Sequence, residues 1–92
     1  MRYPTEESKK LAQLLRWRRE TMQISMGKLA ARIEISASYM STLELGWLKP
    51  SVEVAVRWLK ELEVDGDTRT TCVAYWSIET REEYAKWEEL SR

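Results

Sequence analysis

Apolar residues recur at intervals of three and four along most of the chain, which is the spacing of one buried face of an α-helix. The first such stretch follows Pro4-Thr5-Glu6-Glu7 and continues through Leu11, Leu14 and Leu15. Proline is tolerated in the first turn of a helix, and acidic side chains suit the positive end of its dipole. The pattern therefore predicts a first helix that ends near Thr21.

Three further helices are predicted between residues 25 and 62. Ser25 and Ser36 are expected N-caps, because a serine hydroxyl can accept a hydrogen bond from the first turn, and Pro50-Ser51 begins the fourth helix. Gly46 supplies a residue that can adopt positive φ after the third helix. The expected buried residues are Leu29, Ala30 and Ile33 in the second helix, Met40 and Leu43 in the third, and Val52, Ala55, Val56, Leu59 and Leu62 in the fourth.

The C-terminal part is less regular. Asp65-Gly66-Asp67 is predicted as a turn, and residues 68–78 suit either a strand or a helix, of which we favour the helix. Thr80-x-x-Glu83 has the form of a capping box and predicts a last helix over Thr80–Leu90. We expect an all-α fold with a first domain at 1–66 and an aromatic-rich extension at 67–92.

Charge is segregated along the chain although its formal net charge is zero. Residues 1–50 hold nine Lys and Arg against five Glu, and residues 51–92 hold six against ten Asp and Glu. The halves therefore carry +4 and −4. This is expected if one face meets phosphate, although ordinary solvated charge is the alternative.

The residue types that are missing exclude several classes of function. The chain has no His and one cysteine, Cys72, so it offers neither an imidazole base nor a thiolate metal site. It also has no glycine-rich phosphate loop, and we expect no enzyme activity, metal or cofactor. No apolar run is long enough to cross a bilayer, and Met1–Lys10 lacks the apolar stretch of a signal peptide. We expect a cytoplasmic protein.

The second and third predicted helices carry the most specific pattern. The inward positions are apolar, whereas the outward positions of the third helix are small or polar: Ala37, Ser38, Ser41 and Thr42. A helix with such a short outer face can enter the major groove of DNA without steric conflict. The pattern predicts a helix-turn-helix over about residues 26–45.

Residues 11–64 resemble the lambda-repressor-like (Cro-type) helix-turn-helix family. The motifs that carry the resemblance are Ile24-Ser25, Leu29-Ala30, Ile35-Ser36-x-Ser38-Tyr39-Met40-Ser41-x-Leu43-Glu44-x-Gly46 and Pro50-Ser51. The resemblance implies five helices, a homodimer on double-stranded DNA, and a third helix that reads bases. The function it implies is a sequence-specific transcriptional regulator, most often a repressor.

The resemblance also assigns individual residues. The base-reading positions are Ala37, Ser38, Ser41 and Thr42, and the phosphate-contacting positions are Met26, Lys28, Tyr39, Trp47 and Lys49. It further pairs Arg19 with Glu44 as a buried ion pair, for which arginine is suited because its guanidinium binds carboxylate through two parallel hydrogen bonds.

This chain departs from the family in three ways that matter. Gln23, Glu34 and Glu63 stand at helix ends where the family commonly has Gly, so positive φ is less comfortable there. Met26 stands where the family often has a DNA-contacting Gln. The base-reading face also lacks Arg, Asn and Gln, so specificity is expected to depend on water bridges and DNA shape.

The aromatic C-terminal segment leaves two interpretations open. Its large side chains either cover the domain's own core or form a homodimer interface, which we favour: Tyr75, Trp76, Tyr84, Trp87 and Leu90. A protein partner is the alternative use of the segment. In that case the chain is an antitoxin that binds its toxin and regulates its own operon.

Overall fold

The computed structural model describes residues 4–76, 85–86 and 89. Its helices are α1 (Glu6–Thr21), α2 (Met26–Arg32), α3 (Ala37–Glu44), α4 (Val52–Glu61) and α5 (Gly66–Trp76). The described residues contain no strand, so the all-α prediction is confirmed.

The predicted last helix over Thr80–Leu90 lies largely outside the described residues. Within it, Ala85, Lys86 and Glu89 are described, and all three have helical backbone and exposed side chains.

Side-chain hydroxyls start the first four helices. Ser25 accepts from the Lys28 amide at 3.1 Å and Ser36 from the Tyr39 amide at 3.0 Å. The hydroxyls of Ser51 and Thr5 do the same for α4 and α1, at 3.3 and 3.0 Å. Each bond satisfies one of the amides that a helix leaves unpaired in its first turn, so local sequence fixes where these helices begin.

The predicted turn at Asp65-Gly66-Asp67 is wrong, because Gly66 is the first residue of α5. The Asp65 carboxylate accepts a 2.7 Å hydrogen bond from the Thr68 amide, and the pKa of Asp65 is lowered chiefly by its hydrogen bonds with Thr68. Asp followed by Gly is typical of turns, but an aspartate that bonds an amide three residues ahead also caps a helix.

Helices α1 and α5 lie antiparallel on one side of the core. Thr68, in the first turn of α5, lines a groove with Leu14, whereas Trp76 at its end lies near Leu11 and Ala12. The core is assembled from all five helices. Its apolar side chains with at most 2% exposure are Leu15, Leu29, Ala30, Ile33, Met40, Leu43, Ala55, Trp58, Leu59, Leu62, Cys72 and Val73.

The buried face of α4 is rotated from the predicted one. Val54 and Trp58 are buried, while Val52 and Val56 are only half-buried. The Trp58 ring stacks on Trp76, with the ring centroids 6.3 Å apart and the planes 13° from parallel. Burial of so large a ring determines which side of α4 faces inward.

The core continues past residue 66, the domain boundary predicted from sequence. Cys72, Val73 and Trp76 on α5 are all buried against the other helices. Desolvation raises the pKa of the Cys72 thiol to about 12, so this side chain is a small neutral hydrophobic residue in the fold.

Three helix ends use the left-handed backbone conformation without glycine. The φ angles are 58° at Gln23, 62° at Glu34 and 51° at Glu63. Each amide donates to the carbonyl three residues earlier, for example Gln23 to Glu20 at 3.0 Å. These three turns therefore have the geometry that glycine usually provides, although a residue with a Cβ is disfavoured at positive φ.

Replacing Gln23 by glycine should stabilise the fold, because glycine removes the steric cost of positive φ. We expect Gln23→Gly to raise the free energy of unfolding by about 0.5–1 kcal/mol, after allowing for the greater freedom of glycine in the unfolded chain. Gln13→Gly is the matched control: Gln13 is exposed within α1, where glycine should cost about 1 kcal/mol. Urea denaturation measures the free energy of unfolding of both variants. Equal destabilisation by the two substitutions would contradict a steric cost at Gln23.

Candidate nucleic-acid interface

Helices α2 and α3 are joined by a short turn and share a set of apolar residues that point into the core. Leu29, Ala30, Ile33, Met40 and Leu43 are each at most 2% exposed. The Ile35 amide donates to the Ala30 carbonyl at 2.9 Å and closes the turn. Because these inward residues fix the rotation of α3, its opposite side must face outward.

The outward side of α3 is accessible. Ala37 and Ser38 are exposed, and Ser41 and Thr42 are partly exposed. The Thr42 hydroxyl donates to the Ser38 carbonyl at 3.1 Å, so its proton is already engaged within the helix. The face therefore offers small side chains to a groove, with Thr42 still able to accept a hydrogen bond or present its methyl group.

The residues assigned to phosphate contact have two different environments. Lys28 and Lys49 are exposed, and Trp47 is 59% exposed. Met26 and Tyr39 are half-buried and pack against the core cluster. Lys28, Trp47 and Lys49 are thus free to contact a partner, at positions before and after α3 in the sequence. Met26 and Tyr39 also contribute to the packing of the α2–α3 unit.

A buried ion pair joins α1 to the end of α3. Arg19 Nε lies 2.6 Å from Glu44 Oε2, and Arg19 Nη2 lies 3.1 Å from Glu44 Oε1, the two-bond arrangement expected of arginine and carboxylate. Arg19 Nη1 also donates to the Ile24 carbonyl at 2.8 Å, just before the N-cap of α2. One guanidinium thus positions three segments, and the bond to Ile24 was not predicted from the sequence.

Gly46, just after α3, packs against the first turns of α1. Its φ is +76°, and a Cβ built there would lie 2.7 Å from the Lys9 Cα atom. The Ser8 hydroxyl donates to the Gly46 carbonyl at 3.5 Å. Only glycine allows so close an approach of two backbones.

The basic side chains of α2, α4 and the segment after α3 differ in their acidic partners. Arg32 lies 3.9 Å from Glu61, and Arg57 of α4 lies 3.5 Å from Glu34. Among the residues that the structure describes, neither Lys28 nor Lys49 forms an ion pair. The ammonium groups of these two lysines are therefore not occupied by an acidic side chain there.

The apolar surface near α3 includes residues that the sequence pattern did not single out. Leu45 and Leu48 are 47% and 48% exposed beside Trp47. They follow the helical run of α3, where periodicity no longer tells which way a side chain points.

The residues predicted for a dimer interface are only partly described. Tyr75 is 47% exposed, and Trp76 is buried in its own chain's core. Tyr84, Trp87 and Leu90 lie outside the described residues. Among the predicted interface residues that the structure describes, Tyr75 faces solvent and Trp76 does not.

Neither metal nor membrane chemistry is indicated within the described part of the chain. That part contains no group of three or more His, Cys, Asp or Glu able to hold a metal ion. None of the helices described there combines the length and apolarity needed to cross a bilayer.

Removing the Arg19 side chain should unfold or severely weaken the domain. Arg19→Ala leaves Glu44 buried without its partner, and such a loss typically costs about 3–5 kcal/mol. Arg16→Ala is the matched control, since Arg16 forms only an exposed pair with Glu20 and should change stability by about 0.5 kcal/mol or less. Thermal and urea unfolding measure both, and similar effects of the two substitutions would contradict a central role for Arg19.

Comparison with known proteins identifies the family. A family model described as a helix-turn-helix domain matches residues 10–71, about two-thirds of the chain. No curated protein and no solved structure matches the chain. The match spans the Arg19–Glu44 pair, the α2–α3 unit and most of α5. The chain therefore belongs to the helix-turn-helix family of DNA-binding regulators.

Proposed function

We propose that this protein is a sequence-specific transcriptional regulator that binds double-stranded DNA through the outward face of α3. The observation that carries the proposal is the combination of an accessible face, formed by Ala37, Ser38, Ser41 and Thr42, with a buried ion pair at the end of the same helix. A helix inserted into a groove must present its side chains in a fixed orientation. We also propose a cytoplasmic location for the protein, as expected from its sequence.

The chemistry of this face determines how it reads sequence. Serine hydroxyls make single hydrogen bonds, whereas arginine, asparagine and glutamine discriminate bases through paired bonds worth about 1–3 kcal/mol each. Ser38 and Ser41 supply such single bonds, and Ala37 and the Thr42 methyl group suit the methyl group of thymine. We infer that water bridges and DNA shape supply part of the specificity.

Phosphate contacts would come from the residues beside α3. Lys28, at the start of α2, and Lys49, after α3, lie on either side of this helix in sequence and have no acidic partner among the described residues. Trp47 exposes a large ring next to Lys49. Such contacts fix register on the duplex, while the α3 face reads bases.

The protein is proposed to bind as a homodimer to an inverted repeat. One helix-turn-helix reads few base pairs, so two copies are the common way to reach useful affinity. The two half-sites should then lie about 34 Å apart, one turn of the duplex. Repression is proposed only because regulators of the family that the sequence resembles most often repress.

The antitoxin alternative shares this DNA-binding face and differs by adding a protein partner. A small toxin gene next to this gene would favour the antitoxin, whereas a divergent promoter would favour a regulator alone. Both possibilities require sequence-specific binding, so the DNA experiment comes first.

Binding to selected DNA should depend steeply on salt. After selection from a random duplex pool, log K should fall linearly with log salt, with a slope of about 0.9 per neutralised phosphate. Lys28→Ala should reduce that slope by about 1 on every sequence, and Ser41→Ala should instead change the preferred sequence. Lys86→Ala is the control, because Lys86 is an exposed lysine in the acidic C-terminal segment.

Two results would remove the proposal. One is equal affinity for selected and scrambled duplexes, since the α3 face would then read no bases. The other is a flat salt dependence that Lys28→Ala does not alter, since no phosphate would then be contacted.

A further inference from the structure

A groove between α1 and the start of α5 is open on the surface of the domain. Its volume is about 330 Å³, and its apolar walls are Leu14, Leu15, Trp17 and Val64. Leu14 and Trp17 are 45% and 61% exposed. Two large apolar side chains on one face of a helix form a patch that small soluble domains normally cover.

The groove continues as a strip along both helices. On α1, Lys10, Leu14 and Trp17 share one face because they are spaced by four and three residues. On α5, Thr68 lines the groove, and the exposed Tyr75 lies two turns further on the same face. The strip therefore runs from the groove towards the C-terminal end of α5.

The C-terminal segment, residues 77–92, begins where this strip ends, at the last residue of α5. The sixteen residues 77–92 follow Trp76. From Trp76 back to Thr68 is about 12 Å along α5, and a helix from Arg81 to Trp87 would span about 9 Å. A connection at residues 77–80 is long enough for a helical hairpin, and short connections place successive helices antiparallel. Trp87 is thus within reach of the groove.

The described residues of this segment indicate which of its sides faces solvent. Ala85, Lys86 and Glu89 are helical and exposed, and they share one side of a helix. By sequence spacing alone, a helix continued through these positions would place Tyr84 and Trp87 on the opposite side. The three described residues therefore face solvent, and the proposal below assigns the two aromatic residues to the side that faces the groove.

Charge also matches the segment to α1. Residues 77–92 carry five Glu against three Arg and Lys, a net charge of −2, whereas residues 6–21 carry five Lys and Arg against three Glu, a net charge of +2. Lys10 lies on the strip itself. Opposite net charges favour this pairing over contact with the acidic segment of another copy.

We propose that residues 77–92 form the cover of this groove within their own chain, with Trp87 seated between Leu14, Trp17 and Val64. The assignment does not depend on DNA binding. If Trp87 fills the groove of its own chain, it does not contribute to the proposed homodimer interface. The homodimer would then form through other surfaces.

Paired cysteines test this contact directly. Thr21 continues the Leu14–Trp17 face of α1, and Ser91 continues the Tyr84–Trp87 side of the segment, so Thr21→Cys with Ser91→Cys should react with a short bis-maleimide. Arg16→Cys with Ser91→Cys is the control, because Arg16 is exposed on α1 away from that face. The native Cys72 is fully buried and does not compete.

The expected product is a link within one chain, seen as a monomer with altered migration and confirmed by mass spectrometry of linked peptides. It should form at least tenfold faster for the Thr21 pair than for the Arg16 pair. A covalent dimer from the Thr21 pair would overturn the proposal and show that a second copy fills the groove. Equal rates for the two pairs, or no link in either, would also overturn it.

Discussion

The position of α3 depends on the guanidinium of Arg19. It bonds the Glu44 carboxylate at the end of α3 and the Ile24 carbonyl at the entrance to α2, so three segments meet at one side chain. Both charged residues are at most 8% exposed. A buried charge is tolerated only when its hydrogen bonds are satisfied, and this requirement allows only a narrow range of orientations of α3 against α1. Gly46 adds a second restraint because its backbone rests directly on that of Lys9.

In the proposed function, this fixed orientation lets the small side chains of α3 approach DNA. Apolar residues on the inner side, such as Met40 and Leu43, leave Ser38, Ser41 and Thr42 on the outer side. Such side chains allow a close approach to DNA but form weaker individual contacts than longer polar ones. For a face that reads DNA as proposed, precise placement by the ion pair therefore matters more than in a helix that carries arginine or glutamine.

Sequence patterns predicted the features that depend on neighbouring residues. The serine caps of α2 and α3, the positive φ of Gly46 and the small outer face of α3 all follow from local chemistry. The buried face of α4 was predicted less well, because Val54 and Trp58 satisfy helical spacing as well as Val52 and Val56 do. Stacking of Trp58 on Trp76 decides between them, and that contact joins residues far apart in sequence.

Long-range contacts also explain the other differences. Asp65 precedes a helix rather than a turn, since α5 must continue to bury Cys72 and Trp76. The Arg19–Glu44 pairing was available only through the family resemblance, because no local pattern connects residues 25 positions apart. Leu14 has the spacing of a core residue, yet it lies in a groove that the described helices leave open. Periodicity identifies a helical face but does not show whether a partner covers it.

The most direct measurement is an NMR titration of the protein with a duplex selected from a random pool. Contact through α3 predicts that the amide signals of residues 37–42 shift most, together with those of Lys28 and Trp47. The amides of the α5 core residues Cys72 and Val73 should change little. Shifts concentrated on α5, with those of Ser38 and Ser41 unchanged, would contradict the account.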